Sequence, residues 1–179
     1  PFHEIEKAIQ SGIRALIITH LFGCIHKRIK EIAETCKANG VILVEDCAQA
    51  HGAKIDGVYA GCFGEVGCFS FYPTKNLGGL GDGGAVVTNS SKTATLVKEL
   101  SQYGWSNKYK VNTLSGRNSR LDEIQAAILV DFLPYLDEWN TLRLLIAKRY
   151  SSEIKSPHIT LPEIQAGYDV VHLYVVRSK

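Results

Sequence analysis

The stretch "KRIKEIAETCKANGVILVED", Lys27 to Asp46, decides how this chain folds. Within it Ile29, Ile32, Ala33 and Cys36 recur at i, i+3, i+4 and i+7, the spacing that gathers side chains on one face of an α-helix. Asn39-Gly40 supplies the stop. "VILVED" (Val41–Asp46) follows at once as an apolar run, the kind buried on both faces of a parallel sheet. Upstream, "RALIITH" (Arg14–His20) is a second apolar run. Strand, helix and strand with short connections make a βαβ unit. The pattern therefore predicts an α/β fold with a mainly parallel sheet flanked by helices.

Outward from this unit, "FHEIEKAIQSG" reads as a short helix ending near Gly12. Downstream come a loop from Ala48 to Gly64 and a strand across Val66–Tyr72. A glycine-rich loop leads into a further strand, "GAVVTN", and a helix capped near Ser90 or Ser91. Residues 104–118 are polar and irregular. Ser119 with Asp122 resembles a capping box, opening a helix with Leu121, Ile124 and Ile128 on one face. Pro134 should break or kink it, and the helix then resumes with Leu142, Leu145 and Ile146 as its apolar stripe. The tail ends in "VVHLYVVRS", an expected strand. The division predicted is a partial large domain over 1–133, a connecting long helix over 134–155 and the start of a small C-terminal domain over 156–179. With no methionine and an opening inside a helix, the chain reads as a fragment lacking the N-terminal part of its large domain and most of its small one.

Net charge is +2 with both signs spread along the chain, so no basic patch points to nucleic acid or a membrane surface. No apolar run approaches the roughly 18 residues of a membrane span, and no secretory signal opens the chain. The cysteines (Cys24, Cys36, Cys47, Cys62, Cys68) are odd in number and never form Cys-x-x-Cys. They read as reduced thiols of a cytoplasmic protein, without disulfides or a metal site. His20, His26 and His51 are not at metal-ligand spacing.

The chemistry concentrates in "CFSFYPTKNLGGLGDGGAVVTN", Cys68 to Asn89. Gly79-Leu80-Gly81-Asp82-Gly83-Gly84 matches G-x-G-x-x-G, but a dinucleotide fingerprint follows a strand and opens a helix. These glycines precede a strand, so they read as backbone held close to a ligand or another chain. Lys75 lies between Phe69, Phe71, Tyr72 and Pro73 on one side and the glycines on the other. The plainer alternative is a loop lysine with its head in water. Partial desolvation, however, disfavours an ammonium, and a neutral amine forms Schiff bases with carbonyls. Asp46 ends a strand at the edge where α/β sheets bind ligands, although a lone Asp there is by default a solvated carboxylate or a helix cap. Glu45 points to the opposite face. A lysine, an acid and a phosphate contact from Ser70 together suit pyridoxal 5'-phosphate (PLP).

With these residues in hand, the chain resembles the DegT/StrS-type nucleotide-sugar aminotransferases, PLP enzymes of fold type I. The resemblance is carried by "HLFGCIHKRIKEIAETCKANGVILVEDCAQAHGA", "GCFGEVGCFSFYPTKNLGGLGDGGAVVTN" and "GRNSRLDEIQAAIL". It implies Lys75 as the Schiff-base lysine and proton shuttle, Asp46 at the pyridine nitrogen, Gln49 near the ring hydroxyl and Ser70 at the phosphate. It implies that Asn118 reaches the phosphate of a neighbouring subunit's cofactor, so that the site forms in a homodimer. Arg120 would serve that interface or the substrate. Tyr103-Gly104 stands where many members carry His-Gly, which is similar to the branch aminating a 3-keto-6-deoxyhexose on a dTDP carrier and makes Tyr103 a candidate substrate contact or a packing residue. The implied activity is amino transfer, with glutamate as donor, to a nucleotide-linked keto-6-deoxy sugar. A 4-keto sugar aminotransferase and a non-catalytic relative remain as alternatives; a sugar dehydratase of the same scaffold would carry histidine in place of Lys75. His172 matches a small-domain position and reads equally well as a plain strand residue.

Overall fold

The computed structural model of the protein describes residues 2–165 and 167–178. Helix α1 (Phe2–Gln10) leads into strand β1 (Ala15–Thr19), and after a 3-10 turn at Leu21–Gly23 helix α2 (Ile29–Ala38) returns the chain to β2 (Ile42–Asp46). The two strands are parallel neighbours, with Ala15 opposite Ile42 and Thr19 opposite Asp46. The βαβ unit stands where the periodicity places it. Ile29, Ile32 and Cys36 form the buried face of α2.

The next stretch, which the sequence reads as a loop, contains a small hairpin, β3 (Lys54–Ile55) with β4 (Val58–Tyr59). Its turn is Asp56-Gly57, both at positive φ, as a tight two-residue hairpin turn requires. Strand β5 (Val66–Ser70) then pairs in parallel with β2, and β6 (Gly84–Val87) pairs antiparallel with β5, giving the sheet order β1-β2-β5-β6. Helix α3 (Ser91–Ser101) is capped by Ser90, whose hydroxyl accepts from the Thr93 amide. A second hairpin, β7 (Trp105–Asn107) with β8 (Lys110–Val111), occupies part of the segment read as irregular.

Helix α4 (Glu123–Phe132) is capped by Asp122 alone, through the Gln125 amide; Ser119 takes no part. Pro134 lies in a 3-10 turn, Leu133–Tyr135, that joins α4 to α5 (Leu136–Glu153). The expected apolar face of α5 is corrected, and that of α4 only in part, since Leu121 packs against the α4–α5 cluster and Ile128 is half-buried. Ile124 is exposed and Leu129 is the buried residue of α4, while α5 leaves Leu142, Leu145 and Ile146 exposed and buries Leu136, Asn140 and Ala147. The tail forms a strand only at β10 (Arg177–Ser178), antiparallel to β9 (Ile159–Thr160).

One core packs α1 and α2 on the sheet face carrying Ile18 and Leu43, and Val170 joins it from the tail. A second cluster, Leu77, Leu129 and Leu136 with Phe71, Leu121 and Phe132, ties the glycine loop to α4 and α5. The opposite sheet face is open: Ile17 is 66% and Ile42 52% exposed. The two-sided burial expected of these strands is thus one-sided. Among the described residues, no helix is long and apolar enough to cross a membrane.

Candidate active site

Asp46 is the last residue of β2 and Ser70 the last of β5. In register, Thr19, Asp46 and Cys68 are side-by-side neighbours. Side chains alternate along a strand, so Ser70 shares their face and Glu45 takes the other. Asp46 is half-buried; its Oδ1 accepts from the Ala48 amide at 3.0 Å and its Oδ2 from the Thr19 hydroxyl at 3.4 Å. Gln49, in the turn after β2, accepts the Phe22 amide on Oε1 at 2.6 Å. Phe22 presents that amide from a left-handed backbone, φ 62°. Ser70 Oγ accepts the Tyr72 amide at 3.3 Å. Lys75 is half-buried in a turn closed by its own amide on the Tyr72 carbonyl at 2.9 Å. Its Nζ makes no hydrogen bond or ion pair among the described residues.

These contacts give the site a polarity. On Gln49 and Ser70 the protein occupies an acceptor oxygen and leaves the N–H or O–H donor over. Asp46 keeps lone pairs beyond the two it spends. A ligand with a cationic N–H at one end and acceptor oxygens elsewhere matches that set, and PLP, with its pyridine nitrogen, ring oxygen and phosphate, is such a ligand.

The glycine run beside Lys75 owes its composition to space. None of Gly78, Gly79, Gly81, Gly83 or Gly84 has a left-handed φ. A Cβ on Gly78 would stand 2.6 Å from the Pro73 carbonyl oxygen, and one on Gly79 2.6 Å from Gln125 Oε1. The close approach expected to a ligand or another chain is therefore, in this chain, an approach to its own Tyr72-Pro73 backbone and to α4. Leu80 and Gln125 add a hydrogen bond of 2.8 Å. The run leads into β6, not a helix, so no dinucleotide-type helix N-terminus is present there.

Asn118 lies apart from this group, on the strip that bridges back to Gln102. Arg120 Nε donates to Asn118 Oδ1 at 3.1 Å, again leaving an amide N–H pair over. Both line a cleft of about 620 Å³ walled by β5, β6 and α3. Neither bonds Asp46, Gln49, Ser70 or Lys75. Tyr103 turns the chain at φ 61° and packs its ring, tilted, against Trp105, ring centres 5.1 Å apart.

The DegT/DnrJ/EryC1/StrS aminotransferase family matches residues 2–179. The chain belongs to this family. Among its relatives is the dTDP-3-amino-3,6-dideoxy-alpha-D-galactopyranose transaminase of Aneurinibacillus thermoaerophilus, 46% identical over 98% of this chain and 48% of that protein. The dTDP-3-amino-3,4,6-trideoxy-alpha-D-glucose transaminase of Streptomyces venezuelae is 44% identical over 98% of this chain and 46% of its own length. The crystal structure of S. venezuelae DesV in complex with a ketimine intermediate superposes with a TM-score of 0.89, at 44% identity, over 97% of this chain and 47% of DesV. The chain thus spans about half the length of the curated relatives it matches, and its mixed sheet is that of the family's fold.

Three features of this family member escape a reading of its motifs. Glu45, fully buried, accepts four hydrogen bonds: from His20 Nε2 at 2.9 Å, the Gly61 amide at 2.9 Å, and the Phe63 and Gly64 amides at 2.7 Å each. Burial works to raise its carboxyl, but the imidazole and the three amides outweigh it and hold the pKa below the usual range. His20 Nδ1 in turn accepts the His26 amide at 3.2 Å. His20, Glu45 and Cys47 cluster closely enough to suggest a metal, yet the imidazole and carboxylate atoms are committed to these bonds, and burial pushes the Cys47 thiol far up. His51 is buried against Phe69 and Phe71. Asn76, next to Lys75, is buried as well. Nothing in the spacing of these residues announces such roles, because their partners are remote in sequence.

Proposed function

We propose that this protein is a PLP-dependent aminotransferase that carries an amino group from glutamate to a nucleotide-linked keto-6-deoxy sugar, with the 3-keto position of a dTDP-linked hexose as acceptor. The observation that carries this reading is the polarity of the site, an acid and spare donors, together with a lysine amine that has no partner among the described residues. The 3-amino sugar named in the two relatives above supports the position on the sugar.

PLP, when bound, supplies an electron sink for amino-group transfer. The chain's own residues do the rest. Asp46 holds a proton on the pyridine nitrogen, kept in place by Thr19 and the Ala48 amide. Gln49 turns its amide N–H groups to the ring oxygen, since Phe22 occupies its carbonyl. The Ser70 hydroxyl donates to the phosphate. Lys75 Nζ would be the amine that holds the cofactor, and it would take up and return the proton that moves during transfer. Asn118 donates to the phosphate in a second copy of the chain, so the working form is a homodimer, with Tyr103 at the sugar nucleotide and Arg120 at that interface or the substrate; the reading also makes the protein a cytoplasmic one. The domain limits at 133 and 155 belong to the same reading: among the described residues β9 and β10 pair with each other and not with the main sheet, although Val170 between them packs into the first core.

The test is borohydride reduction of the intact protein in the presence of PLP, followed by peptide mapping. A reduced adduct on Lys75 is expected. A folded protein that carries none there overturns the assignment.

A further inference from the structure

Asn76 is 3% exposed, and its side chain is a junction of remote segments. Its Nδ2 donates to Asn140 Oδ1 at 2.8 Å and to the Val170 carbonyl at 3.2 Å, and its Oδ1 lies 3.0 Å from His172 Nδ1. Asn140 Nδ2 donates to the His51 carbonyl at 2.9 Å. Because Nδ2 of Asn76 is spent on two oxygens, its own oxygen must accept, so His172 Nδ1 carries the hydrogen. The direction is then fixed throughout: His172 gives to Asn76, Asn76 to Asn140, and Asn140 to the loop after β2. Asn140 and His172 are buried too. The same tail segment is bound at Phe22, whose carbonyl accepts the His172 amide at 2.8 Å and whose amide holds Gln49.

The turn bearing Lys75 needs such a hold. It belongs to no helix or strand, and close by its backbone is tied by Lys75 to the Tyr72 carbonyl and by Gly79 to the Phe71 carbonyl, at 2.9 and 2.8 Å. A buried polar chain with every member satisfied rigidifies what it joins, whereas one missing member leaves a buried amide unpaired. We propose that Asn76, Asn140 and His172 are positioning residues that fix the Lys75 turn to the 170–173 segment, so that any displacement of that segment moves the Lys75 amine. This rests on the reading of Lys75 given above as regards its importance, but the coupling itself does not depend on a cofactor.

The experiment is hydrogen–deuterium exchange on the intact protein without PLP, read at the Lys75 and Gly79 amides. Asn76→Ala and His172→Ala should each raise exchange there roughly tenfold. The double variant should do no more than either alone, because the residues act as one unit. His172→Asn, which returns an N–H near the Nδ1 position, should restore slow exchange. The β2 amides, Ile42–Asp46, should not change. Unaltered exchange at Lys75 and Gly79, additive effects, or an equal rise across β2 would each overturn the proposal. If Lys75 takes no borohydride adduct while the exchange pattern is as expected, the coupling stands and the functional assignment alone fails.

Discussion

Buried between Phe69 and Phe71, His51 has neither ring nitrogen in a hydrogen bond. Burial pushes its pKa from 6.5 down to about 4; the Lys75 and His172 charges add to this, and the Ser70 carbonyl opposes it without reaching bonding geometry. In the unfolded chain the ring takes up its proton near pH 6.5, in the folded one only near pH 4. Between those values the unfolded state binds more protons, so stability falls as pH falls. Over the full window this amounts to roughly 3 kcal/mol. His26 and His172 shift the same way, and Glu45 adds a loss below the ordinary carboxylate range. Urea midpoints should therefore drop from pH 6.5 to 4, and in His51→Leu the drop should be shallower; an unchanged slope would count against this account. Glu45→Ala should cost roughly 3–5 kcal/mol, since it strands the buried His20 and the amides of Gly61, Phe63 and Gly64, and a chemical denaturation curve displaced by under about 1 kcal/mol would refute it. Asp46 was legible from its place at a strand end. The work of Glu45 was not, because its partners come from a loop 16 to 19 residues onward and from the end of another strand.

At the level of elements, the glycine run and the helix caps make contrasting predictions. Gly78→Ala drives a methyl toward the Pro73 carbonyl, so borohydride labelling of Lys75 should fall sharply while far-UV circular dichroism stays as it was. Equal labelling would show that the turn adapts. Asp122→Ala removes the α4 cap and should lower stability by about 1 kcal/mol without touching that labelling, as paired thermal melts and peptide maps would reveal. The βαβ unit, the stop of α2 at Asn39-Gly40 and the Ser90 cap of α3 were readable because their signals are local. Asp56-Gly57 is an equally local hairpin signal, in a stretch whose polar character otherwise reads as loop. The faces of α4 and α5 could not be read locally. Which stripe turns inward depends on the neighbour, and on α5 the neighbour is the Asn76 side chain, which draws Asn140 inside and leaves Leu142, Leu145 and Ile146 out.

Across the whole molecule, the two sheet faces differ in what they present to solvent. Ile17 and Ile42 make an open apolar strip on the face opposite α1 and α2, and such strips attract other apolar surfaces. The 179-residue chain should accordingly bind a hydrophobic dye such as ANS in its folded state, and Ile17→Thr with Ile42→Thr should reduce that fluorescence; dye binding unaffected by the pair would place the sticky surface elsewhere. Fold class was legible at this scale because strand and helix periods differ, whereas one-sided burial was not, since an apolar run looks alike whether one face is covered or both. The antiparallel pairing of β5 with β6 has a further consequence, for the order of assembly. Lys75 sits in the loop of what is in effect one long hairpin, so its surroundings need little loop closure and arise early. Its locks arrive late: Asn140 lies 64 residues beyond Asn76 and His172 96. During synthesis the Lys75 turn is therefore built first and tied to its distant partners last, so a nascent chain halted before residue 140 should present that turn unsecured.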